Sequence, residues 1–193
     1  MLGERIFEGP VDHVAMPNIE GAAAATRHLI EQGCRRIVMI DGPEPDEVSM
    51  SNLRLQGYRR ALDAAGIRYD PALVIGLDVL SMEAGVAAVR QLVASKIAFD
   101  GLFCITDTVA IGALRGLADE HISVPEAVKV IGFDNVREAA FTVPSLSSVD
   151  PDHATMAEKA VSLLARRIED GGGSGHEEYV SSYTVVRRES TAG

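Results

Sequence analysis

Residues 105–135 read ITDTVAIGALRGLADEHISVPEAVKVIGFDN, and this stretch decides the fold. It begins at the end of a short apolar run of strand length, Gly101-Leu102-Phe103-Cys104-Ile105. Asp107 stands where a carboxylate can cap the next helix by accepting from its orphan amides. Ala110, Ala113, Leu114 and Leu117 then recur at helical spacing. Ser123-Val124-Pro125 ends that pattern, because proline disfavours helix in the residue before it. A second apolar run covers 128–133, and Asp134 lies just past it. Strand, helix and strand in this order make a βαβ unit. In open parallel sheets ligands bind beyond the carboxyl ends of the strands, where Thr106, Asp107 and Asp134 fall.

The alternation continues outward in both directions. On the amino side, Ser81 can cap a helix through about residue 95, striped by Val86, Val89 and Val93, with a strand-like run at 72–77 before it. A helix over 52–65 turns Leu55, Tyr58, Leu62 and Ala65 inward and stops at Gly66; a polar loop over 44–51 precedes it. The run 36–40 is a buried strand closed by Asp41-Gly42-Pro43. A helix over 21–32 carries Ala22, Ala25 and Leu29 on one face and ends at Gly33. A short strand is expected over 11–15. On the carboxyl side come an extended crossing at 144–149, a long helix over 152–169, a glycine-rich loop at 170–176 and a last strand over 178–186. Strands alternating with helices predict an α/β fold with a doubly wound parallel sheet.

Composition narrows the function classes. At 193 residues the chain suffices for one sizeable core or two small subdomains. A net charge of −10, with no Lys/Arg-rich run, argues against nucleic-acid contact by this chain itself. Cys34 and Cys104 have no metal-like spacing and read as buried thiols of a reducing compartment. The histidines lack metal spacing too, and no catalytic set is expected: there is no nucleophile elbow and no acid/base carboxylate pair. The loop at 171–175 lacks the Gly-Lys-Ser/Thr ending of a phosphate loop, so no cofactor is expected. Residues 1–10 lack the apolar core of a signal peptide, and no stretch approaches a membrane helix; a cytoplasmic protein is expected.

Five ordered blocks carry a resemblance: HLIEQGCRRIVMIDG (28–42), RLQGYRRAL (54–62), FDGLFCITDTVAIGAL (99–114), VPEAVKVIGFDN (124–135) and PSLSSVDPDHATMAEKAV (144–161), with VVRRES (185–190) at the end. Together they resemble the effector-binding core of lac-repressor/galactose-repressor type transcriptional regulators, which share a fold with periplasmic sugar-binding proteins. The resemblance runs from about residue 11 onward. It implies two Rossmann-like subdomains joined by three crossings. Residues 1–33 and 150–178 would form a partial N-terminal subdomain, and 34–149 with 179–193 a nearly complete C-terminal one. The family's helix-turn-helix and the first elements of its N-terminal subdomain are missing, which implies that Met1 falls partway through a subdomain. The implied function is sensing of a sugar-like effector by a bacterial regulator, as a homodimer that reaches operator DNA only through the absent helix-turn-helix. A solute-binding protein of a transport system, or a truncated core that no longer binds, are the competing readings.

The resemblance also marks ligand-binding candidates. Asp134, in the GFD motif, implies a carboxylate that accepts from ligand hydroxyls or amines; the bland reading is a turn aspartate. Arg54 offers five donors in a fixed fork, against a surface arginine paired with Glu44, Asp46 or Glu47. Thr106 stands where Asn is frequent, and its shorter side chain reaches less. Leu80 replaces an aromatic platform and cannot stack through a π face. Met50 stands where Ser or Thr is common, with Ser49 and Ser51 as neighbouring substitutes. Met16-Pro17 stands where Asp-Asn is usual. These departures point to a less hydroxylated ligand than a simple hexose.

Overall fold

The computed structural model describes residues 2–3, 11–43, 49–169 and 175–192. In chain order the elements are β1 (Leu2–Gly3), β2 (His13–Ala15), α1 (Asn18–Glu31), β3 (Ile37–Asp41), α2 (Met50–Ala64), β4 (Val74–Gly76), α3 (Met82–Ser95), β5 (Gly101–Cys104), α4 (Asp107–Asp119), β6 (Lys129–Phe133), β7 (Ser147–Asp150), α5 (His153–Glu169), β8 (Glu178–Val180) and β9 (Thr184–Val186). Short 3-10 turns at Pro71–Leu73 and Arg137–Phe141, absent from the sequence reading, precede β4 and follow β6.

The larger sheet has the order β4-β3-β5-β6-β7-β9, parallel except for the last pair. Its central strands β3, β5 and β6 read as near-continuous apolar runs because both faces are covered. Successive side chains go to opposite layers. Val38, Ile40, Leu102 and Val130 pack under α3 and α4. Ile37, Met39, Phe103 and Ile131 pack under α1 and α2. Glycines let the helices of each layer approach closely. A Cβ on Gly112 would lie 2.0 Å from the Met82 carbonyl oxygen, and one on Gly57 would lie 2.2 Å from that of Ile19.

The smaller sheet, β1-β2-β8, is parallel. Met156 and Leu163 of α5 cover it, packing on Val14 of β2 and Tyr179 of β8. The neighbouring row of α5, with Val161, Leu164 and Ile168, is exposed.

Three expectations change here. Helix α1 begins at Asn18, and it lies on the larger sheet: Ala22, Ala25 and Leu29 pack with Phe133 and Val149. Its small residues make this contact, since a Cβ on Gly21 would sit 2.7 Å from the Phe133 ring. We therefore propose that the larger unit begins at Asn18 rather than after Gly33. The single strand expected over 178–186 is two strands, β8 in the smaller sheet and β9 antiparallel to β7 in the larger. A period-two pattern does not say which sheet a strand joins. The expected strand at 72–77 shortens to β4. Residues 44–48 and 170–174 of the two predicted loops lie outside the described residues.

The sheets are joined by the three crossings β2–α1, β7–α5 and β8–β9. Ser181 laces them together. Its amide donates to the Ala15 carbonyl at 3.0 Å, and its hydroxyl to the Pro151 carbonyl at 2.7 Å.

Candidate functional site

The carboxyl ends of β3, β5, β6 and β7 converge beside the crossings. Ser49 caps α2, its hydroxyl accepting from the Asn52 amide at 3.2 Å. One turn further on, the inward face of α2 buries Arg54 completely. The Arg54 guanidinium lies over the Phe133 ring, 3.6 Å from its centroid. Its Nε donates to Asn18 Oδ1 at 2.9 Å, and one terminal nitrogen donates to the Ile105 carbonyl. The other lies 3.7 Å from Met16 Sδ and 3.7 Å from Asp134 Oδ1. One cation thus ties α2 to a crossing, to α1 and to two strand ends. A charge so buried requires this set of partners.

Asp134 ends β6 with φ of 108°, a conformation L-residues avoid, and Asn135 follows at 51°. Hydrogen bonds hold both in place. The Asp134 amide donates to the Val149 carbonyl at 2.9 Å, and His153 Nε2 donates to the Asp134 carbonyl at 3.1 Å. Asn135 donates through its amide to Ser148 Oγ and through its side chain to Asp150, and accepts from Arg188 at 2.7 Å. The Asp134 carboxylate keeps 23% of its side-chain surface exposed, so it can accept from a ligand.

The helix cap differs from expectation. Thr106, not Asp107, is the last extended residue, and its hydroxyl accepts from the Val109 amide at 3.3 Å. Asp107 is the first helical residue. It is buried and accepts from the Ser148 hydroxyl at 2.7 Å and the Val136 amide at 2.9 Å. It thereby clamps the GFDN turn from behind. Burial pushes its pKa up to about 7, and the Asp134 carboxylate adds to the rise. Protons are then held more tightly in the folded than in the unfolded chain, whose aspartate has the ordinary low value. The Asp107 contribution to stability is complete below about pH 4 and is lost as pH rises through 7. Asp107→Asn, neutral throughout, is expected to gain on the parent between about pH 4 and 7 in urea melts. A difference that stays flat with pH would mean an ordinary carboxylate.

The remaining candidates lie near by. Leu80 and Met50 are half-buried and pack against the cluster that holds Ile40 and Ile105. A Cβ on Gly42 would lie 3.4 Å from Leu80 Cδ2 and 3.6 Å from Ile105 Cδ1, so Leu80 borders the strand end whose carbonyl Arg54 engages. The structure brings Arg54 and Asp134 together, with Thr106 next to Ile105. Ser49 and Thr106 use their hydroxyls as caps. Asn18 and Phe133 escaped the sequence reading: only their contact with Arg54 marks them. Asp41, also missed, is buried at the end of β3 and accepts from Ser51 Oγ at 2.7 Å.

Two α/β units joined by three crossings, with a clamped carboxylate and arginine beyond the strand ends, have the architecture of a ligand-binding core. A model of the periplasmic binding protein-like domain matches residues 26–191. The chain is 39% identical to the HTH-type transcriptional regulator CelR of Thermobifida fusca over 161 residues, 83% of this chain and 46% of that protein. It is 35% identical to the HTH-type transcriptional repressor CytR of Escherichia coli (strain K12) over 158 residues, 82% of this chain and 45% of that one. Among solved structures, a LacI-type transcription regulator from Bifidobacterium animalis subsp. lactis superposes with TM-score 0.91 at 32% identity, covering 98% of this chain and 71% of that one. A complex of the transcriptional regulator CelR with cellobiose gives 0.88 at 36%, covering 98% and 58%. The chain belongs to the LacI family of transcriptional regulators and corresponds to its effector-binding core. It spans about half the length of the curated relatives it matches.

Proposed function

We propose that this chain senses a small, sugar-like effector at the junction of its two units, within a cytoplasmic transcriptional regulator. The observation that carries the reading is Asp134: a partly exposed carboxylate held in a strained backbone conformation, beside a buried arginine. Strain at a residue locked by its surroundings is a mark of a working site. Arg54, Thr106, Leu80, Met50 and Ser49 complete the proposed site, Arg54 and Ser49 mainly by holding it in shape. An effector that prefers one relative orientation of the two units shifts the regulator between states by that difference in affinity. Operator contact belongs to a helix-turn-helix outside this chain. The cellobiose complex of a relative makes oligosaccharides the first ligands to test. The half-buried Leu80 and Met50 favour one with an apolar substituent.

Calorimetric titration with a panel of sugars, sugar acids and nucleosides tests this. Asp134→Asn is expected to weaken the bound ligand by about 10-fold or more, the cost of one charge-assisted hydrogen bond. Unchanged affinity removes Asp134 from the site. If no ligand binds here while a longer form of the protein responds, this core does not sense by itself.

The proposed homodimer has a candidate surface on the larger unit. Phe141 is 73% exposed and Val143 96%, and Phe141, Met82 and Ile111 line a shallow hollow with Arg137. Exposed apolar groups in one patch mark an interface. Phe141→Asp is expected to halve the mass measured by light scattering; an unchanged mass places the interface elsewhere.

A further inference from the structure

We infer that the larger unit carries a second pocket, for a small phosphate ester, at the end of the sheet opposite the effector junction. A hollow of about 220 Å³ opens at the start of β3, between the last turns of α2 and the 3-10 turn before β4. Arg35, Arg36 and Arg68 line it, with Asp70 as the one acidic lining residue. Tyr58, Leu62 and Leu73 are buried around it and supply apolar surface.

In a chain of net charge −10, three arginines lining one hollow need a reason. Arg27, Arg60, Arg90, Arg115, Arg166 and Arg167 each pair with a carboxylate. Arg35, Arg36 and Arg68 form no ion pair among the described residues. Two of the nearby carboxylates, Asp70 and Asp100, are committed to backbone amides. Asp70 accepts from the Ala72 amide at 3.0 Å, and Asp100 accepts from the amides of Arg35 and Arg36, each at 2.8 Å. Two of the guanidiniums are already anchored. Arg36 Nε donates to the Ala98 carbonyl at 2.7 Å, and one terminal nitrogen of Arg35 donates to the carbonyls of Ile30 and Cys34. Their other N–H groups remain to bind, at reduced entropic cost.

Guanidinium forks match the geometry of a phosphate group. The apolar side of the hollow suits the carbon body of an ester better than a bare anion. Its volume falls below the roughly 300 Å³ of ordinary drug-sized sites, which limits that body to a few carbons or a single ring. The pocket is separate from the effector site, although α2 serves both: Arg54 faces the junction and Tyr58, one turn on, faces the hollow.

Calorimetric titration with glucose 6-phosphate, glucose and inorganic phosphate at constant ionic strength decides the matter. Glucose 6-phosphate is expected to bind saturably at one site, more tightly than inorganic phosphate. Arg36→Gln and Arg68→Gln should each weaken it about 10-fold or more, with unchanged thermal melts because both side chains are exposed. Asp134→Asn should leave it unaffected. The inference fails if no saturable binding occurs, if both arginine variants bind as the parent does, or if inorganic phosphate binds equally well. Loss in Asp134→Asn alone would also overturn it, by placing the ester in the effector site. A failure of glucose to bind bears only on the effector reading.

Discussion

Arg54→Ala is expected to lower stability by about 3 kcal/mol and to abolish measurable effector binding. The sequence suggests a ligand-contacting arginine; its complete burial makes it part of the frame as well. The guanidinium is fully enclosed, stacked on Phe133 and bonded to Asn18 and to the Ile105 carbonyl. Removing it strands buried acceptors on two elements and leaves Asp134 without a cation 3.7 Å away. Deleting one member of a buried pair costs about 3–5 kcal/mol, and the lower value applies because Asp134 keeps partial solvent access. Arg54→Lys separates charge from shape. A lysine restores the charge but cannot form the fork or the flat stack, so it should recover part of the stability and little of the binding. Urea denaturation and calorimetry of both variants provide the check. An alanine variant as stable as the parent would show that Arg54 is a surface-like contact, contrary to its burial.

Gly57→Val should be nearly as damaging, by about 3 kcal/mol or about 6–12 °C in Tm, without touching the effector site directly. A Cβ at this position would lie 2.2 Å from the Ile19 carbonyl oxygen and 2.9 Å from the Ala23 nitrogen. Both are backbone atoms, so no side chain can rotate aside. Helices α1 and α2 would have to separate, opening gaps around Ala22, Tyr58 and Leu62. A thermal melt within a degree or two of the parent would show that the helix pair is more compliant than its packing implies.

Much of the larger unit was legible in order and type. The runs at 36–40, 101–105 and 128–133 are strands because long apolar stretches bounded by Gly, Pro and Asp have few other uses in a chain of this composition. Gly33 and Gly66 were recognisable as helix stops and adopt φ of 94° and 67°. The cap was misassigned by one residue, since Thr106 and Asp107 both suit an N-cap and local sequence does not separate them. Asp134 was legible as a carboxylate at a strand end. Its strained φ, and the clamp formed by Asp107, Ser148 and Asn135, bring together residues from β6, α4 and β7. No local pattern encodes that meeting.

By itself, the sequence determined the βαβ alternation, the parallel sheet and the identity of the polar groups at its carboxyl end. These follow from side-chain periodicity, turn chemistry and the rule that places ligands beyond strand ends. Only the tertiary structure decided which sheet α1 covers, where the strand after 178 changes sheets, and what Arg54 does. Each of those is a choice among surfaces of similar hydrophobicity, settled by shape: small residues on α1 that admit the Phe133 ring, three crossings laced by Ser181, and an enclosure that makes an arginine part of the frame as well as of the site.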